Sequence, residues 1–303
     1  MEKLPFQPIR LEDKTLITAH TIPSNYQNCD YSFANICSWR FLYDTEFAIV
    51  DGLLLIRFWI ENKTRVAYMT PTGQGNLQQA LEWLEADSLE QGHPLCLLGV
   101  TPDARTELEK AAPGSFVYIP ERDYFDYIYL REDLATLKGK KLQAKRNHIN
   151  NFKRKYMYEY LPITPELVPE CLRLECQWFQ ANRTDHDETG LSDERRAMTY
   201  ALNHFNELEL TGGAICVDQQ IIAFSFGAPI NHNTFGVHVE KADVNYEGAY
   251  AVINQAFASH LPEQYRFVNR EEDLGIPGLR QAKLSYNPYL LLEKSAAIKK
   301  PSL

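Results

Sequence analysis

The sequence predicts an α/β protein built from two tandem copies of one unit, each an open mixed sheet with helices on its faces. Two observations carry this prediction. One order of hairpin, strand, helix and strand is written twice along the 303 residues, and a cation-rich segment of helical period separates the two copies.

In the first copy, "AIVDGLLLIRFWI" (48–60) reads as a hairpin turning at Asp51-Gly52, a pair suited to a turn in which both central residues have positive φ. Residues 65–69 give a further short strand. The segment "NLQQALEWLEA" begins at Asn76, a good N-cap, and repeats apolar residues at Leu77, Ala80, Leu81 and Leu84, which predicts a helix. "LCLLGV" then reads as a short buried strand. The second copy follows the same order: "AICVDQQIIAFSFGAPI" is a hairpin over Asp218 and Gln219, "TFGVHVE" a strand, "EGAYAVINQAFASHL" a helix and "YRFVN" a buried strand. Each copy closes on a short helical stretch and a strand-rich segment, "FVYIPERDYFDYIYL" in one and "NPYLLL" in the other. The division expected is a first domain over 1–135, a basic connecting helix over 136–156, and a second domain over 157–303 that carries the site.

Composition narrows the function classes. With 45% hydrophobic and 12% aromatic residues the chain can bury one large core or two ordinary ones. A net charge of −9 argues against coating nucleic acid or a membrane by bulk attraction. The six cysteines form no CxxC pair, so they read as buried free thiols in a reducing compartment. The N-terminal residues carry charges and prolines where a signal peptide needs an apolar run, and no apolar stretch reaches membrane-spanning length. These features predict a cytoplasmic protein with no integral membrane segment.

Against that acidic background, Lys138 to Lys155 holds eight of the 31 Lys and Arg and no acid. As a helix, this stretch places Leu142, Ile149, Phe152 and Tyr156 on one face, with Lys140, Asn147, Asn151 and Arg154 opposite. Lys145 falls inside the apolar stripe and Arg146 at its border. Either their stems snorkel past apolar neighbours to water, or their heads reach an internal cleft that binds an anion.

"LKGKKLQAKRNHINNF" and "NREEDLGIPGLRQAKLSYNP", with the weaker "DYSFANICSW", resemble the uncharacterised bacterial family related to the C-terminal domain of phosphatidylglycerol lysyltransferases. The resemblance runs along nearly the whole chain. It implies two tandem acyltransferase-like (GNAT-type) mixed-sheet domains, which agrees with the duplication. It also implies relatives that take an aminoacyl group from a charged tRNA, hence an aminoacyl-tRNA donor and an amine or hydroxyl acceptor. This sequence departs from the lysyltransferases in having no membrane-spanning region to hold a lipid acceptor.

Acyl transfer needs a nucleophile placed against an activated ester or thioester, a route for its proton, and donors facing the oxyanion. If "TFGVHVEK" is the central strand of the second copy, alternation puts His238 and Glu240 on one face and Phe235, Val237 and Val239 on the other. Either His238 or Glu240 can take a proton, or both can simply face solvent. Asn269 to Asp273 should lie at a strand's C-terminal end, where clefts of open α/β sheets form. Pro277 suits the first turn of a helix on which Arg280 and Lys283 share a side.

Two readings of that cluster compete. Asn269, Arg270, Arg280 and Lys283 hold a phosphate or carboxylate while Glu271, Glu272 and Asp273 receive a cationic amine, with Lys283 joining His238 and Glu240 as a catalytic candidate. Otherwise the same residues pair with one another as a strand-to-helix clasp. Lys145, Arg146 and Asn147 are the anion-binding candidates of the basic helix. Glycine turns give a weaker signal for a coenzyme A thioester: Gly73 and Gly75 in "TPTGQG" and Gly248 in "NYEGAY" only partly match the pyrophosphate loop of acetyltransferases. His186, among Asp185, Asp187 and Glu188, lacks the ligand spacing of a hard-metal loop, so no metal is expected. Nor is a covalent nucleophile evident. Three functions remain in view: an acyl or aminoacyl transferase, a coenzyme A-dependent N-acetyltransferase, and a non-catalytic binding module for an anionic small molecule.

Overall fold

The computed structural model describes residues 3–182 and 188–301, so His186 and its neighbours Asp185 and Asp187 lie outside the described residues. Fifteen strands are described, arranged in two mixed sheets. The first runs in the order β1 (Gln7–Pro8), β2 (Glu46–Val50), β3 (Leu53–Ile60), β4 (Arg65–Tyr68), β6 (Cys96–Val100), β15 (Ser295–Lys299) and β7 (Phe116–Pro120), with β5 (Thr72–Gly73) beside β3. The second runs β14 (Leu290–Leu292), β8 (Asp126–Leu130), β13 (Phe267–Asn269), β12 (Thr234–Ala242), β11 (Gln220–Pro229), β10 (Thr211–Val217) and β9 (Tyr158–Pro162). The helices are α1 (Lys14–Thr21), α2 (Phe33–Tyr43), α3 (Leu77–Glu90), α4 (Pro102–Ala111), α5 (Arg131–Thr136), α6 (Gln143–Lys155), α7 (Val168–Asn182), α8 (Glu188–Asn203), α9 (Ala249–His260) and α10 (Pro277–Leu284).

Local chemistry explains most of these boundaries. Asp51 and Gly52 both have positive φ, as do Asp218 and Gln219, so both hairpins turn as their twist requires. Asn76 accepts the Gln79 amide at 3.2 Å and starts α3. Pro277 occupies the first turn of α10, where its missing N–H costs nothing.

Each sheet contains the repeated unit, and in each the strand before the long helix pairs in parallel with the strand after it: β4 with β6, and β12 with β13. The closing segments do not stay with their own copies. β8 follows β7 in the chain yet joins the second sheet between β13 and β14, while β15 returns from the second sheet to lie between β6 and β7. The chain divisions at 135 and 157 therefore do not coincide with sheet membership. One apolar core runs across the seam, uniting Leu54, Leu84 and Leu97 with Leu174, Phe205 and Phe224. A second core lies on the opposite face of the second sheet, under α5, α6 and α9, around Tyr127, Phe152, Phe235 and Phe257.

Candidate functional site

In open α/β sheets ligands bind in the crevice outside the carboxyl ends of the strands. β12 and β13 pair only from Thr234 with Phe267 to Gly236 with Asn269; beyond this β12 continues to Ala242 paired with β11 alone, while the segment after β13 turns off as Arg270-Glu271-Glu272. Polar side chains gather on both faces of this fork.

On the face under α9, Arg270 Nη2 donates to Glu240 Oε1 at 2.9 Å, and Asn254 Nδ2 to Glu240 Oε2 at 3.0 Å. The guanidinium lies over the Tyr286 ring at 4.9 Å and Tyr129 at 5.6 Å. Its buried Nη1 has no partner among the described residues, and neither has Asn254 Oδ1. Lys145 reaches in from α6, its ammonium 4.1 Å from the centre of the Tyr286 ring. Burial, with Arg270 close by, holds that ammonium below the usual lysine range, although Glu240 opposes the shift. Two cations thus share one carboxylate, and both have donors to spare.

On the other face His238 meets the first half of the chain. The β11–β12 register slips at His238, opposing Phe226 to Val239 and Gly227 to Val237. This bulge overturns the expectation that His238 and Glu240 share a face. Val237 packs into the core under α9 and Val239 into the core across the seam, so alternation is broken between them. Glu240 stays with Val237 and Asn254, whereas His238 Nε2 lies 2.8 Å from Ser32 Oγ and Nδ1 2.9 Å from Glu271 Oε1. Asn35 Nδ2 also donates to that Glu271 oxygen, at 2.7 Å. Glu271 has φ +58, a conformation that costs a non-glycine residue on the order of 1 kcal/mol and aims its carboxylate at the seam.

The remaining cluster residues hold this fork in place. Asn269 Nδ2 donates to Asp126 Oδ2 and Gln27 O, and its Oδ1 receives the Glu271 amide at 2.6 Å. Lys283 donates to the carbonyls of Arg270 and Glu272, so it pins the turn, and burial pushes its ammonium down. Asp273 is fully buried and takes Arg280, Arg122 and the Tyr127 hydroxyl, which hold its carboxyl well below the usual range against the cost of burial. Arg280 also pairs with Asp123 at 2.7 Å. Asp273 and Arg280 therefore make the strand-to-helix clasp.

Other sequence candidates lie apart. Arg146 donates to the carbonyls of Leu137 and Gly139 at the end of α5, and Asn147 is exposed on the outer side of α6. A Cβ on Gly73 would stand 2.2 Å from Gly52 O, and one on Gly75 2.5 Å from Asp51 O, so that turn is filled by the β2–β3 hairpin. A Cβ on Gly248 would stand 2.9 Å from His148 O of α6, which covers the start of α9. None of the three glycines lines an open cradle.

Sequence reasoning missed the seam. Lys294 is buried with Asp126 at 2.9 Å, Asp30 at 3.1 Å and Glu272 at 3.8 Å, and these groups together keep it protonated. Burial raises Asp126 to about 6, with Lys294 opposing. Cys29, Asp126 and Glu272 converge within 4.8 Å as metal ligands would, but the Lys294 ammonium lies among them and supplies the cation. Burial pushes the Cys29 thiol well up, which makes it a poor nucleophile.

The chain matches the family described as "Phosphatidylglycerol lysyltransferase, C-terminal" over residues 23–298. It belongs to that family. Its architecture of two acyltransferase-like mixed sheets is shared with L-PGS from Bacillus licheniformis, at TM-score 0.66 and 12% identity over 98% of this chain and 94% of that one. A conserved protein of unknown function from Bacteroides thetaiotaomicron VPI-5482 is 54% identical, with TM-score 0.94 over 98% of this chain and 100% of that one. The uncharacterized protein MYCGA3080 of Mycoplasmoides gallisepticum is 25% identical over 194 residues, 62% of this chain and 60% of that protein's length. Among the described residues of this family member, no helix is long and apolar enough to cross a membrane.

Proposed function

We propose that the protein transfers an aminoacyl group from charged tRNA to a small-molecule amine or hydroxyl at the fork between β12 and β13, in the cytoplasm where charged tRNA is held. Membership in the lysyltransferase family and the shared fold support acyl transfer as the reaction class. The observation that carries the site is the pair of underused cations, Lys145 and Arg270, beside a parallel-strand fork. They are suited to a phosphate near the donor's reacting end, and a guanidinium with a free donor favours an oxyanion strongly. His238, oriented by Glu271, is placed to take the proton of the attacking group and return it to the leaving hydroxyl. Glu240 and Asn254 fix the Arg270 guanidinium. The glycine turns are filled by packing, which leaves a coenzyme A donor with less support.

The test is loss of ester label from a pool of aminoacylated tRNA, with a cell extract as acceptor and buffer hydrolysis as the blank. Loss faster than the blank, abolished in Arg270→Gln, is expected. Loss at the blank rate at every salt concentration would remove charged tRNA as the donor.

A further inference from the structure

Ser32 stands at the N-cap of α2, where a serine Oγ ordinarily accepts the amide two or three residues on, a bond that contributes about 1 kcal/mol. Here Oγ makes no cap bond and turns instead to His238 Nε2, 2.8 Å away. A carboxylate only accepts, so the 2.9 Å contact with Glu271 places the ring proton on Nδ1. Nε2 of the neutral ring is then the acceptor for the Ser32 hydroxyl. Hydroxyl, imidazole and carboxylate come from positions 206 and 33 residues apart and line up in the order that activates a serine as a nucleophile. The α2 amides that the cap bond would have used, at Ala34 and Asn35, meet no acceptor among the described residues. They are placed to receive an oxyanion formed beside Oγ.

We propose that Ser32 carries the acyl group covalently, so that transfer proceeds through an acyl-serine intermediate; this rests on the acyl-transfer reading above. Ser32 Oγ attacks the donor carbonyl while its proton passes to His238 Nε2. The tetrahedral adduct collapses, the C–O bond to the donor alcohol breaks, and that alcohol leaves with the proton from Nε2. The acceptor amine or hydroxyl then attacks the acyl-serine, gives its proton to Nε2, and Ser32 Oγ takes it back as product leaves. Ser32 is fully buried, while the side chains of His238 and Glu271 are 6% and 23% exposed. Acylation thus follows a parting of α2 from β12 on the Glu271 side.

The probe is p-nitrophenyl acetate, with acid quench and peptide mass spectrometry. The expected result is one acetyl group on the peptide containing Ser32, formed with a burst of p-nitrophenol. It should be absent in Ser32→Ala, restored in Ser32→Cys, and formed roughly a hundredfold more slowly in His238→Ala. No acetyl group on Ser32 in folded wild-type protein overturns the proposal. So does transfer from charged tRNA by Ser32→Ala at the wild-type rate, which would leave the aminoacyl-transferase reading intact. Acetylation of Ser32 without consumption of charged tRNA sustains the intermediate and removes only the tRNA donor.

Discussion

Both sheets place a polar knot between the parallel strand pair and the helix that connects it, but the two knots differ in how completely they are paired. In the first sheet Arg57 gives Nη1 to both oxygens of Asp87 and gives Nε and Nη2 to Glu46, while the Tyr68 hydroxyl closes on Asp87 at 2.6 Å. Phe6 covers the guanidinium at 4.2 Å. In the second sheet Arg270 keeps Nη1 unpaired, Asn254 keeps Oδ1, and Lys145 touches only an aromatic face. A buried polar group without a partner costs about 1–3 kcal/mol, so a fold tolerates several together where a ligand completes them. The same architecture thus holds one knot fully paired and another with a donor and an acceptor to spare, and the proposed site lies at the second.

This contrast predicts opposite consequences for changes in the two halves. The largest effect falls on chemistry: His238→Ala is expected to slow transfer roughly 10²–10⁴-fold in single-turnover kinetics, the usual contribution of a general acid–base group. A change of similar energy but other kind is Arg57→Ala, which leaves buried Asp87 without its cation and with only the Tyr68 hydroxyl as partner. It should lower the free energy of unfolding by about 3–5 kcal/mol in urea titration and leave the transfer rate per folded molecule unchanged. Equal loss of activity per folded molecule would make the first knot part of the site and break the comparison. A smaller effect sharpens it: Lys145→Ala removes no hydrogen bond, so stability should move by less than about 0.5 kcal/mol. Donor binding should weaken, and its logarithmic salt slope should fall by about 1.

The smallest effect is on pH. The folded pKa of Lys145 lies below its unfolded value. In the window between them the folded chain binds fewer protons, so stability rises with pH there. Binding of an anionic donor needs the ammonium and should fall with rising pH through the lower end of that window, below the ordinary lysine range. In Lys145→Met this alkaline loss should vanish from a fluorescence titration.

The repeated order of elements was legible because each depends on local signals: paired turn residues at 51–52 and 218–219, a cap at Asn76, and helical period in α6 that set Lys145 apart from Asn147. Sheet membership was not, because the exchange of β8 and β15 depends on pairings between residues more than a hundred positions apart. The bulge at His238 also escaped, since alternation along one strand carries no record of its partner's register. For Ser32 the sequence signal was a serine opening a helix in "DYSFANICSW", which ordinarily marks a cap; only its distant partner reveals the hydroxyl turned elsewhere. The cluster after Asn269 proved to be two things at once. Arg270 and Glu271 face the two sides of the fork, while Asp273, Arg280 and Lys283 fix its shape.

The most direct test of the central claim, that the second fork holds the donor and the first is scaffold, is amide hydrogen exchange with and without aminoacylated tRNA, repeated with acetyl-coenzyme A. Protection by charged tRNA over residues 143–155, 237–242 and 269–273, with none over 70–76, is the predicted result. Protection of residues 70–76 by either ligand, or none at the second fork with charged tRNA, would contradict the account.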